Sequence, residues 1–407
     1  MVLNRKKALR FIFFTLLIDV TGLGLIIPVL PTLIELLIGD NNISVAAQWG
    51  GWLTFAYAGV QFIFAPVMGA LSDQYGRRPV LLLSLLGFGL DYILLSVAPS
   101  MFWLFLGRII AGITGASFTT AAAYIADISE PAERSKNFGM IGAAFGLGFI
   151  IGPVIGGLLG SFGPRIPFMV AAGLSLINAL YGYFILPESL ALENRRKFDW
   201  RRANPLGALL RLRNYPSIRG LVFALLLLYT ASHAVQSNWT FFSIEKFDWS
   251  ERVIGISLGV FGILIAIVQG GLIGIINPKI GNKNSVYAGL LLYALGLLLF
   301  SFASQSWMMF LFMIPYCLGG IAGPALQAII TGHIPANEQG EIQGVLASLM
   351  SATSIIGPPV MTNLFAYYTS AAAPVHFAGV SFLLGALLML VSSIVAYRAL
   401  RNSPAVV

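Results

Sequence analysis

Twelve runs of about 18 or more predominantly apolar residues occupy most of the chain, and no other feature narrows its possible folds so far. They fall at about 11–36, 51–71, 80–98, 102–126, 138–161, 166–186, 220–242, 254–276, 286–303, 306–332, 343–367 and 375–398. In hydrocarbon a segment must satisfy its own backbone N–H and C=O groups, so runs of this length predict membrane-spanning α-helices. The composition agrees: of 407 residues, 57% are hydrophobic and 10% charged, where a soluble domain carries about 25% charged residues. The expected fold class is an all-α membrane protein. The first run follows Arg5, Lys6, Lys7 and Arg10 as a signal peptide would, but its length, its Asp19 and the lack of a small-residue cleavage site predict a retained helix.

An even number of spans puts both termini on one side. Of the 24 Lys and Arg residues, 20 fall on that side, with Arg165, Lys246 and Arg252 opposite and Arg108 alone inside a span. Cationic loops stay inside, so a multi-pass protein with both termini cytoplasmic is expected. The net charge of +8 then reads as an orientation signal with no nucleic-acid partner, and the basic stretch 195–219 as a contact with lipid headgroups. Cys317 is the sole cysteine, which excludes a disulfide framework and a cysteine metal site. No cofactor, catalytic residue or metal is expected.

Glycines recur at an offset of 205 residues: Gly69 and Gly76 with Gly274 and Gly281, Gly115 with Gly320, Gly139 with Gly344, and Gly152-Pro153 with Gly357-Pro358. The chain therefore reads as an N-terminal six-helix bundle over 1–186, a linker over 187–219 and a C-terminal six-helix bundle over 220–407. Parallel repeats of this kind imply a pseudo-twofold axis along the membrane normal, with halves that rock around a solute path. An ionised side chain inside a span is costly unless it pairs or faces a wet path. Asp19, Asp91 and Arg108 lie deepest in the apolar runs and are the candidates for proton coupling, because solvation and a neighbouring charge can switch a buried carboxyl between its two states. Structural contacts between helices are the competing explanation for each. The seventh span supplies Tyr229, His233, Gln236, Ser237 and Asn238, with 229, 233 and 236 or 237 on one face. Gln327 and Gln343 are weaker candidates on the tenth and eleventh spans.

The turn Gly69-Ala-Leu-Ser-Asp73-Gln-Tyr-Gly76-Arg77-Arg78-Pro79 closely resembles the signature of the major facilitator superfamily. The likeness continues through Arg108, Gly112 and Gly115. It extends to Gly148, Gly152-Pro153 and Gly156-Gly157, which are similar to the signature of the antiporter branch. Leu17-Ile-Asp19-Val-Thr-Gly-Leu-Gly-Leu-Ile-Ile-Pro28-Val-Leu-Pro31, Asp91-Tyr92 and Gly112-Ile-Thr-Gly-Ala116 look like the tetracycline/proton antiporters. That resemblance implies two pseudo-twofold-related bundles in a bacterial inner membrane, and places substrate and proton exchange on Asp19, Asp91 and Arg108. It also implies a cytoplasmic gate built from Gly69, Asp73, Gly76, Arg77, Arg78, Asp127 and Arg134, and a hinge in the fifth span at Gly148, Gly152, Pro153 and Gly156. The C-terminal half departs from the family: Tyr293 stands in place of its ninth-span aspartate and Ile265 in place of its eighth-span histidine, whereas Gln269 matches. Coupling would then rest on the N-terminal half, and the substrate path would take Tyr229, His233, Gln236, Asn238, Gln269, Tyr293 and Gln327.

No nucleotide loop, nucleophile elbow or metal-ligand cluster is present, which speaks against an enzyme. A channel would need a filter or a ring of like groups. The expected activity is proton-coupled export of an amphipathic small molecule by a monomer in lipid. Import of a related solute, or carriage of a siderophore or metabolite on the same scaffold, is the alternative.

Overall fold

The computed structural model describes residues 5–115, 117–130, 133–198, 212, 215–335 and 338–402. Among these the protein is helical: α1 Arg5–Ile26, α2 Leu30–Ile38, α3 Ile43–Tyr75, α4 Arg77–Val97, α5 Met101–Thr114, α6 Ser117–Ile128, α7 Arg134–Gly160 and α8 Ile166–Ile185. There follow α9 Arg219–Phe247, α10 Glu251–Ile267, α11 Ile273–Ser301, α12 Ser306–Gly319, α13 Ala322–Gly332, α14 Gln339–Thr369 and α15 Val380–Asn402. Eleven helical segments among the described residues are long and apolar enough to cross a membrane. One of them, Glu251–Ser301, is 51 residues long and bends at Gly281, where φ is 78° and ψ 155°. That bend divides it into the eighth and ninth spans, so the twelve expected spans are present.

Three spans are interrupted where the apolar pattern predicted continuity. The first is split between α1 and α2 because Pro28 and Pro31 remove amide donors, and Pro31 sits in the first turn of α2, where no donor is needed. The fourth breaks after Thr114 at Gly115 and the tenth after Gly319 at Gly320. The broken helices share the 205-residue offset. So does the turn conformation: Gly76 has φ 107° and ψ 160°, close to the dihedrals of Gly281. A positive φ of this kind is open to glycine at little cost, which explains why both positions carry it.

Two compact units divide the chain, the first comprising 1–41, 56–204 and 250–259 and the second 42–55, 205–249 and 260–407. They follow the halves of the sequence except at the start of α3 and over 250–259, the turn into α10 and its first half. In the first unit α1 packs chiefly on α7 and α8, and α4 on α8 and α5. The α1–α7 contact is a close backbone approach. A Cβ at Gly156 would lie 2.2 Å from the Leu25 carbonyl oxygen, one at Gly152 2.7 Å from that of Thr21, and one at Gly148 2.6 Å from Val20 Cβ. α7 runs unbroken through Pro153. In the second unit α9 packs on α15 and α14, and Trp239 sits among Phe261, Phe300 and Trp249 with ring centroids 5.2–6.4 Å apart.

Candidate functional site

In the first unit Asp91 of α4 is fully buried and forms an ion pair with the Arg108 guanidinium of α5. The Arg108 Nε donates to Asp91 Oδ1 at 3.3 Å, and a second donation runs from Nη2 to Oδ2. Gly107 makes this approach possible, since a Cβ there would stand 2.6 Å from Asp91 Oδ1. The guanidinium also lies 5.8 Å from the centroid of the Tyr57 ring, an electrostatic attraction between cation and π-face. Gln61 donates to the Tyr57 hydroxyl at 3.0 Å and to the Gly115 carbonyl at 2.9 Å. Gly115 breaks the fourth span, and an amide donor from α3 takes the carbonyl freed there. Asp91, Arg108, Tyr57, Gln61 and Gly115 thus form one network across α3, α4 and α5.

Asp19 of α1 lies beside that network and outside its bonds. It is 5% exposed, and neither carboxylate oxygen has a hydrogen-bond partner among the described residues. Its side-chain neighbour is Ser117, in the first turn of α6. Tyr57 and Tyr92 are within electrostatic reach of Asp19 as well as of Asp91 and Arg108. Two buried carboxylates therefore share one buried cation, and that cation is committed to Asp91. An ionised carboxyl with no counter-charge in such a place costs several kcal/mol.

In the second unit the polar groups of the seventh span separate. Gln327 of α13 donates to the Tyr229 hydroxyl at 2.8 Å, joining α9 to α13. His233 is 7% exposed and packs on α14, where a Cβ at Gly357 would stand 2.4 Å from its Cδ2. Ser237 bonds back to the His233 carbonyl. Asn238 is buried with both amide atoms unpartnered among the described residues, while Gln236 is exposed. Gln269 is exposed within a π-helical turn, Val268–Leu272, a distortion common at functional positions. Tyr293 stacks edge-on to Tyr316 at 4.9 Å and lies against Gly319. The exposed Gln343 stands near the start of α14.

The 69–79 loop expected from the sequence is the end of α3, Gly76 and the start of α4, and ion pairs hold it. Arg77 reaches Asp73 at 2.5 Å and Asp127 at 3.2 Å, and donates to Ser72 Oγ at 2.6 Å. Gly69 has open space where a side chain would project. Arg134 begins α7, but its side chain lies outside the described ones. One residue that the sequence did not single out is central here. Glu188 Oε1 accepts from the backbone N–H of Arg77 at 2.8 Å and its Oε2 from that of Arg78 at 3.2 Å. It caps α4 with a charge at the positive end of the helix dipole. Its only sequence signal is an acid at the end of the sixth span, ahead of a basic connection.

Broken spans in a repeated two-bundle fold, with buried charge in one bundle and polar side chains in the other, define a secondary active transporter and not an enzyme. The chain belongs to the Major Facilitator Superfamily, which it matches over residues 12–288 and 239–406. It is 40% identical to the class C tetracycline resistance protein of Escherichia coli over 389 residues, 96% of each chain. It is 34% identical to the class H tetracycline resistance protein of Pasteurella multocida over 396 residues, again 96% of each. Multidrug resistance protein 2 of Bacillus subtilis (strain 168) is 29% identical over 375 residues, 89% of this chain and 90% of that one. Among solved structures, a bacterial homolog of the human lysosomal transporter Spinster, inward-facing and unoccupied, aligns over 100% of both chains with a TM-score of 0.78 at 15% identity. The human organic anion transporter MFSD10 aligns over 97% of this chain and 100% of its own, with a TM-score of 0.70 at 24% identity.

Proposed function

We propose that the protein exports an amphipathic small molecule in exchange for protons by alternating access, with Asp19, Asp91 and Arg108 carrying the coupling. The observation that carries this is the imbalance of buried charge: Arg108 is the counter-charge of Asp91, and Asp19 has no hydrogen-bonded or ion-paired partner among the described residues. Asp19 is the group that takes up a proton, and the paired Asp91 and Arg108 respond when substrate or protonation alters the local field. The substrate's polar contacts come from Tyr229, His233, Gln236, Asn238, Gln269, Tyr293 and Gln327, with apolar walls supplying most of the contact area. Gly69, Asp73, Gly76, Arg77, Arg78, Asp127 and Arg134 form the cytoplasmic gate, and Gly148, Gly152, Pro153 and Gly156 the surface on which the fifth span shifts. The protein works as a monomer surrounded by lipid, with both termini cytoplasmic and no cofactor.

The relatives named for tetracycline and multidrug resistance make tetracyclines and cationic dyes the first compounds to test. Proteoliposomes holding one of these compounds under an imposed pH gradient should show saturable uphill transport that an uncoupler abolishes. Saturable flux driven by the gradient in the opposite sense would make the protein an importer. Flux that neither saturates nor responds to the gradient would contradict coupled transport.

A further inference from the structure

The segment that leaves the sixth span is tied down along its length, all within the first unit. The Arg78 guanidinium donates to the Tyr183 carbonyl at 2.5 Å and the Tyr124 hydroxyl to that of Pro187 at 2.7 Å. Besides Arg77 and Arg78, Glu188 Oε1 accepts from the backbone amides of Ser189 and Leu190 at 3.0 Å each. The Ser189 hydroxyl donates to Asp127 at 3.0 Å. Further along, the Arg196 amide donates to the Asp73 carbonyl at 3.0 Å and the Phe198 amide to Gln74 Oε1 at 3.1 Å. Arg195 stands 4.0 Å from Glu188. The approach of Glu188 is close enough that a Cβ at Gly76 would fall 2.2 Å from its Oε2.

We propose that Glu188 is a positioning residue that locks the 187–198 strap and the 69–79 loop into one body, so that the start of the linker moves with the gate. The role in the gate rests on the transport reading above; the lock itself does not. The strap offers amides at Arg196 and Phe198 to oxygens of Asp73 and Gln74, and the two oxygens of Glu188 serve the amides of Arg77 and Arg78 together. Loss of the carboxylate therefore releases both segments, whereas a cap of α4 alone would release only the helix start.

Site-resolved hydrogen exchange on the full-length protein separates these outcomes. In Glu188→Ala, the amides of Arg77, Arg78, Ser189 and Leu190 should exchange about 10-fold faster or more, as expected for loss of charge-assisted hydrogen bonds. Those of Arg196 and Phe198 should follow, although neither touches Glu188. Glu188→Gln keeps the shape and one acceptor but presents a donor toward one helix-start amide, so one of the Arg77 and Arg78 amides should accelerate and the other should not. Uphill transport should fall about 10-fold in Glu188→Ala, and substrate counterflow, which needs no pH gradient, should fall with it. Wild-type exchange at Arg196 and Phe198 in a folded Glu188→Ala protein would overturn the lock. Released segments with unchanged counterflow would overturn its role in the gate. If wild-type protein shows counterflow but no gradient-driven transport, the coupling is wrong and the lock is judged on exchange and counterflow alone.

Discussion

Arg108 is the counter-charge of Asp91, which has no exposure to solvent, so Arg108→Ala leaves a buried carboxylate with nothing to balance it. Breaking a buried pair in this way costs about 3–5 kcal/mol. Thermal unfolding in detergent should show that loss in Arg108→Ala and recovery of most of it in Arg108→Ala/Asp91→Asn, where no charge is stranded. Equal instability in the single and double variants would mean that Arg108 acts through packing alone. Asp19, Asp91 and Arg108 were legible in the sequence because a charge inside an apolar run is a signal carried by position alone. Which carboxylate holds the arginine was not legible, because that depends on how α4 and α5 face each other across a turn. Glu188 was missed for the same reason: its partners on α4 lie 110 and 111 residues earlier in the chain.

The faces of α7 divide at the level of the element. Gly148, Gly152 and Gly156 meet α1, whereas Gly139, Gly142 and Gly146 have nothing within 4 Å of an added Cβ among the described residues. Gly156→Ala should therefore destabilise the protein by about 1–3 kcal/mol through overpacking, and Gly142→Ala should have little effect. Comparable unfolding temperatures for the two variants would contradict the α1–α7 packing. Small residues let helix backbones approach in a membrane, where no hydrophobic force draws helices together. The twelve spans were readable from hydropathy, but the breaks at Gly115 and Gly320 were not, because 44 of 407 residues are glycine and most of them interrupt nothing. Pro66, Pro153 and Pro358 likewise sit inside continuous helices. Neighbouring helices can satisfy the backbone groups that a proline frees.

Across the whole molecule the 205-residue repeat is visible as backbone geometry, since Gly76 and Gly281 share a positive φ with extended ψ. Their surroundings differ: Glu188 crowds Gly76, and among the described residues nothing lies within 4 Å of a Cβ at Gly281. Both Ala variants bear the strain of a positive φ with extended ψ, about 1–3 kcal/mol, but only Gly76→Ala also displaces Glu188. Transport should accordingly fall further in Gly76→Ala than in Gly281→Ala, and equal losses would mean that the two turns serve the fold alone. The same asymmetry separates the halves chemically, with the unpaired carboxylate of Asp19 in the first unit and Tyr293 packed among aromatics in the second. Proton coupling in the N-terminal half is therefore the central claim, and Asp19→Asn tests it most directly because it removes the unpaired carboxyl while keeping its shape and leaving the Asp91–Arg108 pair intact. In proteoliposomes the variant should exchange substrate for substrate at close to the wild-type rate and fail to accumulate it under a pH gradient. If it still concentrates substrate when that gradient is the sole driving force, the coupling does not reside in this carboxylate.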